Sequence, residues 1–187
     1  HIGAHWACSV RPINANSYPN SEVHNSGEVW TSMLWECYAS LLNAHDFDVA
    51  QDRMKRYLVA GYKLTPVSPT LTEARDALLA PMLAADPADY ARCSAGFAKR
   101  GAGSNALVPD RYSSTNAGVV EDTSTSPVLV IDDMRLSMSA SGAQRCDADE
   151  GLDSGETGAL TLTVRNKGLS ASASGQLALS SELPEVA

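Results

Sequence analysis

The chain has 187 residues, of which 14 are basic and 22 acidic, so its net charge is −8, and 44% of it is apolar. That is enough for one medium domain or two small ones of ordinary globular composition. No apolar run approaches the roughly 20 residues of a membrane helix, and no basic stretch can neutralise a row of phosphates, so neither membrane nor nucleic acid is expected as a partner.

Residues 1–20 (HIGAHWACSVRPINANSYPN) show no sustained period and read mostly as loop. A first helix is predicted over 21–44. Ser21 can cap it, and Val23, Val29, Trp30, Met33, Leu34, Cys37, Leu41 and Leu42 recur at spacings of three and four. A second is predicted over 48–62, capped by Asp48, weakened by Gly61 and broken beyond by Pro66 and Pro69. A third starts at Thr70, which has Glu73 at the spacing of a capping box, and should end or kink at Pro81. A fourth covers about 87–99, with Asp86 as cap, Pro87 at the first helical position, and Gly101 and Gly103 as stops.

Near residue 122 the character changes. TSTSP (123–127) reads as a linker, and β-like runs follow at 128–139, 158–166 and 175–181. Leu160, Leu162 and Val164 alternate with Thr161, Thr163 and Arg165, the pattern of a half-buried strand. Residues 1–126 carry 10 basic and 13 acidic groups (−3), and residues 127–187 carry 4 and 9 (−5). The expected division is therefore 1–122 helical, 123–127 linker and 128–187 a partial β-sandwich. About 60 residues cannot supply the roughly seven strands of a whole sandwich. A fragment cut at both ends is the expectation, any export leader lying upstream of His1.

Four groups of residues can carry chemistry. Cys8, Cys37, Cys93 and Cys146 lack the spacing of a zinc clip. Two disulfides of unspecified pairing and buried free thiols both fit, Cys37 being a core position of its helix. His1 and His5 have the i, i+4 spacing of an H-E-x-x-H zinc site, with Glu28 as a conceivable third ligand. Ile2, however, stands where the general base belongs. His24 and Glu28 can share a helix face; by pattern alone they read as a helix-start histidine and a solvated or capping glutamate. The turn CDADEGLDSGETG places Asp147, Asp149, Asp153 and Glu156 where they can hold calcium, though the register is not that of an EF-hand and a solvated acidic turn fits as well.

Four blocks in order resemble the C-terminal half of the catalytic domain of fungalysin-type zinc metallopeptidases. They are SEVHNSGEVWTSMLWECY (21–38), YLVAGYKLTPVSPTLTEARDALL (57–79), CSAGFAKRGAG (93–103) and RYSSTNAGVVE (111–121). The tail is similar to β-sandwich modules of bacterial exported proteins, through DADEGLDSGETGAL. The resemblance implies a secreted, thermolysin-like zinc endopeptidase acting on proteins or peptides. Its fold here would be mainly α, a helical C-terminal subdomain followed by a short, truncated antiparallel β segment. It places H-E-x-x-H and the third zinc ligand upstream, so no zinc ligand is assigned to His1, His5 or Glu28, and the chain alone is expected to be inactive without its upstream catalytic half. VHNSG puts His24 where such enzymes carry an oxyanion-stabilising histidine, which shifts the balance for His24 toward a functional role. An acidic residue expected shortly before it is missing, since Pro19 and Asn20 stand there. The alternative is a non-catalytic binding or structural module with a calcium-binding β domain.

Overall fold

The computed structural model describes residues 23–113, 116–138 and 157–178. Four helices come first: α1 (Val23–Leu42), α2 (Phe47–Leu64), α3 (Leu71–Ala85) and α4 (Pro87–Lys99). A two-stranded antiparallel sheet of β1 (Leu129–Met138) and β2 (Gly158–Asn166) follows. Residues up to Pro127, with Gly168–Ser170, form one compact unit, and Val128–Lys167 with the residues from Ala171 onward form another.

The helical unit is organised by the four-residue spacing in α1. Val29, Met33, Cys37 and Leu41 are all buried and meet Met54 and Tyr57 of α2, Leu78, Leu79 and Met82 of α3, and Phe97 of α4. The Trp30 ring lies against Phe97, centroids 5.7 Å apart. The α3 start is the capping box expected: the Glu73 N–H donates to Thr70 Oγ1 and the Thr70 N–H to Glu73 Oε2. Asp86 caps α4, accepting from the Ala88 and Asp89 N–H groups, with Pro87 at its start. Gly101 adopts φ 86°, a left-handed value that ends the helix.

Three local expectations need correction. Asp46, not Asp48, occupies the N-cap position of α2, and its side chain makes no capping bond; Asp48 lies in the first turn, facing the positive helix end. Gly61 does not weaken the end of α2, which runs on to Leu64. A Cβ at Gly61 would stand 2.8 Å from Leu78 Cα, so the missing side chain lets α2 and α3 cross at backbone distance. Pro81 does not end α3. It removes one backbone N–H, but Leu78, Leu79 and Met82 around it are core residues, and their burial outweighs one lost hydrogen bond.

A disulfide joins Cys37 of α1 to Cys93 of α4, both fully buried. Beside it Gly96 brings the two backbones together; a Cβ there would lie 2.9 Å from Cys37 N. Cys8 and Cys146 lie outside the described residues. After α4, Arg75 is buried and donates to the carbonyls of Ala102 and Gly103, tying residues 100–104 to α3. Gly103 has no room for a side chain, since a Cβ would fall 2.4 Å from the carbonyl oxygens of Asp122 and Ser124. Leu169 belongs to this unit's core, 4% exposed.

In the second unit, opposed residues share a face of the hairpin. Ile131, Met134 and Leu136 face Val164, Leu162 and Leu160, while Asp133 and Arg135 face Thr163 and Thr161 on the other side. A register shift between Ile131 and Asp133 keeps the apolar residues together despite their spacing of three. Of the run expected as a third strand at 175–181, residues 175–178 are not strand, and the rest lies outside the described residues.

The disulfide closes a sequence separation of 56 residues. By loop entropy it is worth about 4 kcal/mol. Replacing both Cys37 and Cys93 by Ala should lower the denaturant midpoint and raise m, because the unfolded chain is no longer held compact. A midpoint unchanged within error would show that the helices pair without it.

Candidate functional site

His24 lies on the first turn of α1. Residues four apart on a helix share a face, and the structure indeed places His24 and Glu28 together: both line an open depression with Gly27, Thr31, Ser32, Trp35 and Arg100. His24 and Glu28 are exposed. Arg100 comes from the residue after α4 and is fixed there by Glu36, whose Oε1 accepts from Arg100 Nε at 2.9 Å. Lys99 Nζ donates to Glu36 Oε2 at 2.8 Å. The hydrogen bonds from Lys99 and Arg100 hold the Glu36 carboxyl below its ordinary range, so the depression is bordered by a neutralised ion pair.

On the adjoining face of α1, Ser26 and Val29 line a smaller cavity of about 180 Å³ with Thr70, Leu71, Val108, Arg111 and Asn116 among its walls. Arg111 is anchored there, donating to the Val67 carbonyl at 2.9 Å and to Glu73 Oε1 at 2.5 Å. The Thr70 N–H and the Arg111 guanidinium together lower the Glu73 pKa.

The strongest polar cluster in the described chain is one that pattern reading missed. Asp89 is wholly buried in α4. Its Oδ1 accepts from His45 Nε2 at 2.7 Å and Arg92 at 3.1 Å; its Oδ2 accepts from Arg53 at 2.7 Å and the Tyr57 hydroxyl at 3.0 Å. Arg53 also donates to Asp86 at 2.5 Å. Burial alone would push the Asp89 carboxyl up, but the bonds from His45, Arg53 and Tyr57 outweigh it and hold it low. Asp86 is lowered chiefly by Arg53, and burial together with Asp89 pushes the Tyr57 hydroxyl up. The only signal in the sequence was an aspartate three residues past a helix cap, which ordinarily reads as a dipole partner.

His45, Asp86 and Asp89 are close enough to hold a metal ion. They do not fit one. Two guanidinium groups and a phenol already fill the carboxylate oxygens, and a cation would have to displace like charges. Among the described residues no other cluster of three potential ligands occurs. His1 and His5, and the acidic residues Asp147, Asp149, Asp153 and Glu156, lie outside the described residues, and Glu28 stands exposed on α1.

The family profile of Fungalysin metallopeptidase (M36) matches residues 7–106. The chain is 30% identical over 123 residues to "Extracellular metalloproteinase 5" of Arthroderma benhamiae, covering 58% of this chain and 19% of that protein. It is 33% identical over 102 residues to "Extracellular metalloproteinase mep" of Aspergillus terreus, covering 47% of this chain and 16% of that protein. It thus spans less than a fifth of the length of these curated relatives. No solved structure matches the chain.

The depressed carboxyls of Asp86 and Asp89 fix the sign of the acid response. Their stabilisation is fully present above the unfolded carboxylate value near 3.9 and is lost as pH falls through the folded values. Asp89→Asn turns an amide donor toward donors and should cost roughly 3 kcal/mol at neutral pH. In urea titrations the gap between variant and native chain should narrow as pH is lowered from about 5 to about 2. A gap independent of pH would mean the carboxylate charge is not what holds these helices.

Proposed function

The chain belongs to the fungalysin metallopeptidase family, and from that premise we propose that it is the helical part of a secreted zinc endopeptidase in which His24 stabilises the transition state of peptide hydrolysis. The observation that carries this reading is the position of His24. It is an exposed imidazole on the first turn of α1, inside the matched span, at the rim of an open depression.

Attack of water on a peptide carbonyl puts a negative charge on its oxygen. An imidazole N–H aimed at that oxygen binds the intermediate more tightly than the substrate, an effect of about 2.7–4 kcal/mol for one donor. The neutralised Glu36 leaves no unpaired carboxylate on the Arg100 side of the depression to repel that charge. From the family resemblance we assign the metal and its base to the upstream part of the protein, and no described residue receives a ligand's role. Protein substrates and secretion follow from the family and from the relatives' names. A buried disulfide, stable in an oxidising compartment, supports export.

In the enzyme extended upstream to the length of its relatives, His24→Ala should lower kcat about 10²–10³-fold, with KM nearly unchanged and no loss of thermal stability. A kcat equal to that of the unsubstituted enzyme overturns the assignment. The 187-residue chain by itself should not cleave peptides with added zinc; cleavage would place the metal site within it.

A further inference from the structure

Among the described residues that follow Gly103, only Leu169 is buried, 4% exposed. It lies three residues beyond β2, yet it joins the apolar cluster of the helical unit, which includes Phe97 and Ala102. Lys167 before it and Ala171–Ala178 after it are exposed. The burial is confined to Gly168–Ser170. This short segment belongs to the helical unit, although the chain on both sides of it belongs to the hairpin unit.

A polar bond accompanies the apolar burial. The Leu169 N–H donates to Ser104 Oγ at 3.0 Å, across 65 positions of sequence. The Ser104 N–H donates to the Ser124 carbonyl at 2.9 Å, and the Gly103 N–H to the Asp122 carbonyl at 2.6 Å. Ser104 thus holds the chain where it leaves the helical unit, through its backbone, and where it returns, through its side chain. The excursion between is also closed at its base. The Lys167 N–H donates to the Val128 carbonyl at 2.8 Å, and the Val128 N–H to Asn166 Oδ1 at 3.0 Å.

We infer that Gly168–Ser170 is a latch that docks Leu169 in the helical unit and so couples the stability of the β1–β2 hairpin to that of the four helices. The coupling acts through the chain ends and requires no contact between strands and helices. Without the hairpin, docking Leu169 beside Ser104 would mean closing a loose loop over residues 125–168, which costs entropy. The paired strands bring Val128 and Lys167 side by side, so Leu169 is presented two residues from the hairpin base. In return, a docked Leu169 removes the freedom of the hairpin's second end, and two strands that are marginal alone gain stability. Linkage makes the two effects equal. An ordinary tail hangs from one linker, whereas this hairpin is fastened at both of its ends. The inference is independent of the peptidase reading, since the latch and its socket lie within the described chain.

The test is Leu169→Ala in the 187-residue chain, with Leu177→Ala as control, because Leu177 is the same residue type but 62% exposed. Leu169→Ala should lower Tm by about 5–10 °C, from lost burial and an incompletely filled site. It should also speed hydrogen exchange of the strand amides in Leu129–Met138 and Gly158–Asn166 by about tenfold or more, although Leu169 lies in neither strand. Trypsin cleavage after Lys167, an exposed residue whose C-terminal side the latch holds, should accelerate by a similar factor. Ser104→Ala keeps the apolar contact and removes the acceptor, so it should move exchange and cleavage the same way by a smaller factor. Leu177→Ala should change none of these. Strand exchange and cleavage left unchanged by Leu169→Ala overturn the latch even if Tm falls, because Leu169 would then be a core residue without coupling. Equal effects from Leu177→Ala overturn it too, because the tail would then respond to the loss of any leucine.

Discussion

A single buried carboxylate organises the helical unit. Asp89 has no exposed surface, and four donors from three parts of the chain converge on its two oxygens: His45 before α2, Arg53 and Tyr57 within α2, and Arg92 one turn along α4. A charge removed from water is tolerated only when every lone pair is met, and here each is. The arrangement sets the position of α2 against α4 more sharply than apolar contact can, because hydrogen bonds are directional and burial is not. Arg53 extends the arrangement to Asp86, which also caps α4. The same residues thus start the fourth helix and attach the second to it.

Further along the same buried side of α4, the contact with α1 is fixed by different means. The Cys37–Cys93 bond and the bare surface of Gly96 bring α1 and α4 to backbone distance. Glu36 then takes Lys99 and Arg100 at the helix end. With its inner face committed to Met33, Cys37 and Leu41, α1 can present only the outer face that bears His24, Gly27, Glu28 and Trp35. The functional proposal falls on this outer face. The cluster that looks most like chemistry, around Asp89, is an assembly of fully engaged charges with no coordination position left for a cation.

The hairpin unit shows the limit of two strands. Its register brings Ile131, Met134, Leu136, Leu160 and Val164 to one face, and all of them remain exposed. Two strands alone are marginal in water. The bulge at Asp132 is the local device that makes this face uniform, because it turns a three-residue spacing into a shared side.

Much of this was legible in the residues. Helix starts are local events, and the Thr70–Glu73 box and the Asp86–Pro87 start could be read from side-chain chemistry within a few positions. The helical apolar pattern of α1 followed from its spacing of three and four, and the strand alternation at 158–166 from its period of two. The four blocks carried the family likeness. What only the tertiary structure decided were facts about partners far apart in sequence. Gly61 reads as a weak helix end until Leu78 is seen against it, and Pro81 as a terminator until its neighbours are seen in the core. Four cysteines allow several pairings, and the packing of α1 on α4 selects Cys37 with Cys93. Asp89 reads as an ordinary first-turn acid, and its role appears only when residues 32–44 positions away reach it. Propensity and capping act over one helical turn and are written in the local sequence, whereas close approach and charge compensation depend on distances that exist only once the helices have packed.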